Sequence, residues 1–228
     1  MSLKDKELAF LSSVVICVFS AVIAESAISY LKERKLIITD SSFITGLIVG
    51  FVMYSSQPWW FNSLAAVFAI ASKHLLRLKK KHIFNPAALG IFLVTIIFSA
   101  STRWQGTYYW HILVPFGLYF SYRMRKLEIL YGYFAITLFL FGLQALKQGT
   151  SLIDIFGYLS YFYIFIMVIE PKTTPISRLG KYLFGALVAG LIFILTEIGV
   201  RFDAELCALL IMNMLVPVLN KVPKRRAK

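Results

Sequence analysis

Residues 8–31 read LAFLSSVVICVFSAVIAESAISYL, an apolar run whose only charge is Glu25. A helix that crosses a bilayer needs about 20 mostly apolar residues, and this stretch supplies them. It is too long for the h-region of a signal peptide, and no small-residue cleavage site follows it. It is therefore expected to stay in the chain as a helix.

Similar runs follow at about 41–54, 58–72, 86–101, 107–121, 128–146, 152–169, 181–200 and 204–219. Hydrophobic residues make up 59% of the 228, charged residues only 15%, and the mean hydropathy is +0.74. The charges collect in short clusters between the runs, where a soluble domain would spread them over its surface. The fold class predicted is all-α: a polytopic membrane protein of about nine transmembrane or re-entrant helices, in one integral membrane domain. Residues 1–106 and 107–220 are expected to be the two halves of an inverted repeat, and 221–228 a basic cytoplasmic tail.

A net charge of +13 would point to nucleic acid in a soluble protein. In a membrane protein, Lys and Arg gather in cytoplasmic loops and meet anionic lipid there, so the partner implied is the bilayer. Of the 24 Lys and Arg, only Lys4, Lys6, Arg103, Lys147 and Arg201 fall on the side of the N-terminus. That asymmetry puts the N-terminus outside and the C-terminus in the cytoplasm of a cell membrane. The runs at 41–54 and 58–72 are short, and the loop between them, Ser55-Ser56-Gln57, carries no charge. Two thin spans and one re-entrant hairpin therefore both remain open.

Two places combine a helix breaker with helix-start signals. In Ser55-Ser56-Gln57-Pro58-Trp59-Trp60, Pro58 suits a first helical position. In Glu170-Pro171-Lys172-Thr173-Thr174-Pro175, Thr174 suits a cap and Pro175 the start of the next helix. Paired breakers in opposite halves are what an inverted repeat produces, with helix N-termini offered to an anionic or polar ligand. Ordinary turns with an interfacial Trp pair would give the same sequence. Asn85 precedes Pro86 where a helix enters the membrane, and its plain role is a cap.

Cys17 and Cys207 lie inside apolar runs with no CxxC or Cys/His spacing, which argues against zinc and iron–sulfur sites. His74, His82 and His111 offer no paired helix-centre positions, which argues against haem. Glu197 precedes Arg201 by four residues, a spacing that permits an ion pair, while Glu25 stays open between structure and function. Gly46 and Gly50, and Gly185, Ala186, Ala189 and Gly190, read as close helix packing. No Ser/His/Asp set, phosphate loop or carboxylate pair can be assembled, so no autonomous active site is expected.

These motifs, taken in order, resemble the membrane-protein family that includes RnfD of the Rnf electron-transport complex and NqrB of the sodium-pumping NADH:quinone reductase. Ser42-Phe43-Ile44-Thr45-Gly46-Leu47, Gln57-Pro58-Trp59-Trp60, and Phe84-Asn85-Pro86-Ala87 with Gly90 follow the family's order. So do residues 170–175, then Arg178, Gly180 and Phe184-Gly185-Ala186-Leu187. The resemblance implies a flavin-handling subunit that works with redox partner subunits and couples electrons to sodium or proton movement. It also implies two inverted five-helix repeats, here in a 4+5 version without the first family helix, which agrees with an N-terminus outside. The family's covalent flavin sits on a Thr in a Ser-Gly-Ala-Thr-like motif within a long insertion. Here that insertion is reduced to about residues 101–107 and the motif is absent, so covalent FMN is not expected at Thr102 or Thr107. A non-covalent riboflavin or FMN would be held by Asn85 and by Glu170, Lys172, Thr173 and Thr174. The rival reading is a channel or secondary transporter for a small polar solute or vitamin.

Overall fold

The computed structural model describes residues 3–78 and 81–221. Lys79, Lys80 and, apart from Lys221, the expected basic tail lie outside the described residues. The chain divides into two compact units, Met1–Gly106 and Thr107–Lys228. Among the described residues the fold is all-α apart from one small hairpin, and the long apolar runs are helical except at 152–169.

The first unit is built on α1 (Leu3–Glu33). At four-residue spacing it buries Ser13, Cys17, Ala21, Glu25 and Ser29, and it exposes Leu11, Val15, Phe19 and Ile23. This inverts the pattern of a helix in a water-soluble domain, which turns its apolar stripe inward. Small and polar groups face the protein and large apolar ones face out, as a hydrocarbon solvent requires. α2 (Asp40–Val52) runs antiparallel to α1 at close range. A Cβ on Gly46 would lie 2.6 Å from Val18 Cα, and one on Gly50 2.8 Å from Val14 Cα.

α3 (Trp59–Leu75) runs parallel to α1, from Asn62 Nδ2 donating to Ser13 Oγ at 2.7 Å to His74 beside Glu25. Pro58 is the cap before α3 and not its first residue, because its ψ of 128° is extended. An antiparallel pair, β1 (Arg77–Leu78) and β2 (Lys81–His82), leads to α4 (Pro86–Phe98). Beyond α4 the chain returns to the α2–α3 loop: Tyr54 N donates to Ser101 O at 3.0 Å and Arg103 N to Val52 O at 2.8 Å. The 13 residues of α2 make a helix of about 20 Å, shorter than the ~30 Å hydrocarbon core.

The second unit holds α5 (Trp110–Arg123), α6 (Leu127–Gln148), α7 (Asp154–Tyr158), α8 (Arg178–Ile198) and α9 (Ala204–Leu219). α6 and α8 run parallel and in close contact. The Cβ position of Gly185 falls 2.0 Å from Ile129 O, and that of Gly132 2.2 Å from Tyr182 O. Further along, Phe141 meets Phe193 edge-on, and Gln144 Nε2 donates to Glu197 Oε1. Glu197 thus takes an amide from α6, and the expected Glu197–Arg201 pair is not among the ion pairs of the described residues.

The run expected as one helix at 152–169 is broken. α7 spans only five residues, Leu159 is extended, and Tyr163–Val168 form a π turn. Periodicity does not separate a continuous helix from a broken one in a short apolar run. Here Tyr163, Ile164, Met167 and Val168 are fully enclosed, so packing inside the unit sets the backbone. α1, α6 and α8 contain stretches long and apolar enough to cross a membrane, and α2, α4 and α9 are shorter apolar helices.

Candidate functional site

The sequence-predicted residues fall in two places, one in each unit. Asn85 is enclosed in the first, at 2% exposure, and its Oδ1 accepts the Ala88 amide at 3.0 Å. The cap role is therefore real, and Pro86 follows as the first residue of α4.

In the second unit, residues 170–177 link the π turn to α8. Thr173 Oγ1 donates to Glu170 Oε2 at 3.1 Å, and Thr174 Oγ1 donates to Glu170 O at 2.8 Å. Because the Thr174 hydroxyl turns back to Glu170, it does not cap α8. The expected start at Pro175 moves to Arg178, with Ser177 Oγ accepting from Gly180 N at 3.1 Å. From α9, Asn213 Nδ2 donates to Thr173 O at 3.2 Å and Asn220 Oδ1 accepts from Ile176 N at 2.8 Å. Glu170, Thr173 and Thr174 are thus brought together, while Lys172 lies on the exposed side of the same turn.

The central group, Lys126, reads in the sequence as surface charge. It is buried just before α6, and its Nζ donates to Thr174 Oγ1 at 2.5 Å and to Pro175 O at 3.4 Å. A buried ammonium requires such acceptors, because its desolvation costs several kcal/mol (order of magnitude). Lys181 Nζ donates to Arg125 O and lies 3.6 Å from Glu128, which Arg178 also approaches at 3.6 Å. Arg178 and Lys181 are thus faced by Glu128, so it is the Lys126 ammonium and the positive end of the α8 dipole that favour negative charge on a ligand placed there. Asn213, a lone amide in an apolar run, was a legible signal for this cluster. Lys126 was not, because it sits in the basic group Arg123-Met124-Arg125-Lys126.

The chain is similar in sequence to subunits of ion-translocating oxidoreductase complexes. The D subunit of the ion-translocating oxidoreductase complex of Erwinia tasmaniensis is 35% identical over 96 residues, 40% of this chain and 27% of that protein. The corresponding protein of Buchnera aphidicola is 20% identical over 304 residues, covering 95% of this chain and 86% of the relative. The D subunit of the Na(+)-translocating ferredoxin:NAD(+) oxidoreductase complex of Acetobacterium woodii is 37% identical over 62 residues, 27% of this chain. The chain spans only about a quarter of the length of the first of these relatives and a fifth of the third. Residues 6–112 and 112–228 both match the family's pattern, and the chain belongs to the NQR2, RnfD, RnfE family.

Proposed function

We propose that this chain is a membrane subunit of an ion-translocating electron-transport system, that it holds a non-covalent flavin, and that it works with redox partner subunits. Family membership supports the first part, since the relatives are the D subunits of ion-translocating oxidoreductase complexes. The observation that carries the second is the buried Lys126 ammonium on the Thr174 hydroxyl, beside the N-terminus of α8.

The donor set at residues 170–177 fits riboflavin or FMN in kind. It combines a buried cation, an exposed one in Lys172, threonine hydroxyls and a helix N-terminus, suited to an electron-rich ring edge or a phosphate. A bound flavin would supply the electron transfer itself, and the protein would place it and set its potential. Lys126 would favour the more negative form of the ring, and Glu170, by holding both threonine side chains, would fix their direction. Asn85 is the second place, at the mouth of α4. On the charge asymmetry, residues 170–177 face the cytoplasm, where a soluble electron donor would reach them. The alignment with the Buchnera relative extends over 304 positions against 228 residues here, which supports a chain shortened by loss of internal segments.

The test is a visible absorption spectrum of the detergent-purified protein, repeated on the supernatant after acid precipitation. Flavin bands that pass into the supernatant are expected. Flavin kept in the pellet would overturn the non-covalent reading. A colourless protein, still colourless after incubation with riboflavin and with FMN, would overturn flavin binding and favour transport of a small polar solute.

A further inference from the structure

In the first unit α1 outlasts the helices packed on it. His74, near the end of α3, meets Glu25, and Lys73 Nζ donates to Ser41 O at the start of α2 at 2.8 Å. From Glu25, α1 continues eight residues to Glu33, about 12 Å past that level. Arg34 then turns the chain with a φ of 56°, and residues 36–39 return to α2 in neither helix nor strand.

This projection has three properties that need one explanation. It is apolar and open: Leu31, Leu36 and Ile38 are 74%, 76% and 71% exposed. It is basic: Lys32, Arg34 and Lys35 are all exposed, and none forms an ion pair among the described residues. Its backbone is open as well, since the amides of Lys35, Leu36, Ile37 and Ile38 make no hydrogen bond among the described residues. Hydrocarbon does not accept irregular backbone, and water does not favour three large apolar side chains in one short stretch. The headgroup layer of a bilayer satisfies all three, with acyl chains below and phosphate oxygens beside.

The sign of the charge says which headgroup. The two connections at this end carry Lys32, Arg34, Lys35, Arg77, Lys79, Lys80 and Lys81, seven cations against the two acids Glu33 and Asp40. Asp40 opens α2, where the helix dipole already favours it. We propose that the end of α1 and the segment after it form a binding element for anionic phospholipid. Leu31, Leu36 and Ile38 enter among the acyl chains, and Lys32, Arg34, Lys35 and the open amides hold the phosphate. A zwitterionic lipid offers the same phosphate with its charge cancelled, so the element selects phosphatidylglycerol over phosphatidylcholine.

The test uses the full chain with Cys17→Ala and Cys207→Ala, carrying Leu36→Cys labelled with bimane. It is placed in vesicles of equal parts phosphatidylglycerol and phosphatidylcholine, with bromine on the acyl chains of one lipid or of the other. Brominated phosphatidylglycerol should quench the label more than brominated phosphatidylcholine, and added salt should narrow the difference. Lys32→Gln, Arg34→Gln and Lys35→Gln should each lower the preference by up to about fivefold, and the triple variant should abolish it. These side chains are exposed, so the variants should fold. Lys147→Gln with Arg201→Gln, exposed charges in the second unit, should leave the preference unchanged. Equal quenching by the two lipids, quenching by neither, or a preference that survives the triple variant would overturn the proposal. So would a photocrosslinker at position 38 that captures protein and no lipid in native membranes, which would assign the segment to a partner subunit. The readout is independent of flavin and of which leaflet the segment faces.

Discussion

His74 Nε2 lies 3.2 Å from Glu25 Oε1, tying α3 to the enclosed face of α1. The two side chains are only 12% and 9% exposed, and Glu25 Oε2 has no hydrogen-bond partner among the described residues. An intramembrane carboxylate is a functional candidate by default. Here one of its oxygens has a structural partner.

That geometry predicts a strong coupling. His74→Leu alone strands the carboxylate in an apolar setting and should destabilise the protein by about 3 kcal/mol. Glu25→Leu together with His74→Leu removes the stranded charge and should recover most of that loss. Denaturant unfolding in micelles, read as a double-mutant cycle, checks it. Additive effects would mean that the two side chains are neighbours without an energetic link.

The α6–α8 contact makes a second prediction. A Cβ at Gly185 would sit 2.0 Å from the Ile129 carbonyl, which is backbone and cannot move aside cheaply. Gly185→Ala should therefore cost about 1–3 kcal/mol or more, the range for overpacking. Gly157→Ala is the control, since nothing lies within 4 Å of its Cβ position. Thermal melts should separate the two variants clearly, and equal melts would show that α6 and α8 do not pack this closely.

A third concerns the Lys126 cluster. Thr174→Val removes the hydroxyl that accepts from the buried ammonium and should cost about 1.5–3 kcal/mol. Ser177→Ala removes the α8 cap and should cost about 1 kcal/mol. The two lie in one turn, so the double variant should depart from additivity. A loss of less than half a kcal/mol (order of magnitude) for Thr174→Val would mean that water replaces the hydroxyl, and that the ammonium is not enclosed.

Orientation can be read by labelling. In a cysteine-free background, Ser151→Cys should react with a membrane-impermeant maleimide added to intact cells, and Lys172→Cys only after permeabilisation. This follows from the crowding of Lys and Arg on one side of the membrane. The reverse pattern would invert the proposed topology and move residues 170–177 to the outer face.

The long helices and their lipid-facing stripes were legible because hydrophobicity acts residue by residue. Ser13, Cys17, Ala21, Glu25 and Ser29 can be placed on one face of α1 by counting alone. The start of α8 was not legible. Whether Thr174 or Ser177 caps it depends on Glu170 and on Lys126, which lies 48 residues away in the chain. The break at Leu159 was hidden for a related reason: it answers to packing inside the unit, while the local pattern stays uniformly apolar.

Asn85 separates the capping role from the ligand role most directly. Its Oδ1 accepts from Ala88 N, and under the proposed flavin reading its amide NH2 would also donate to the cofactor. Asn85→Asp keeps an acceptor for the cap, and the helix N-terminus offsets part of the cost of enclosing the new charge, so the variant should still fold. Asn85→Ala loses the cap and should cost about 1 kcal/mol. If Asn85 also holds the cofactor, Asn85→Asp should lose flavin while it remains folded, as measured by the flavin-to-protein absorbance ratio after purification. Full flavin content in Asn85→Asp would reduce Asn85 to a cap and leave the Glu170–Thr174 turn as the place to look.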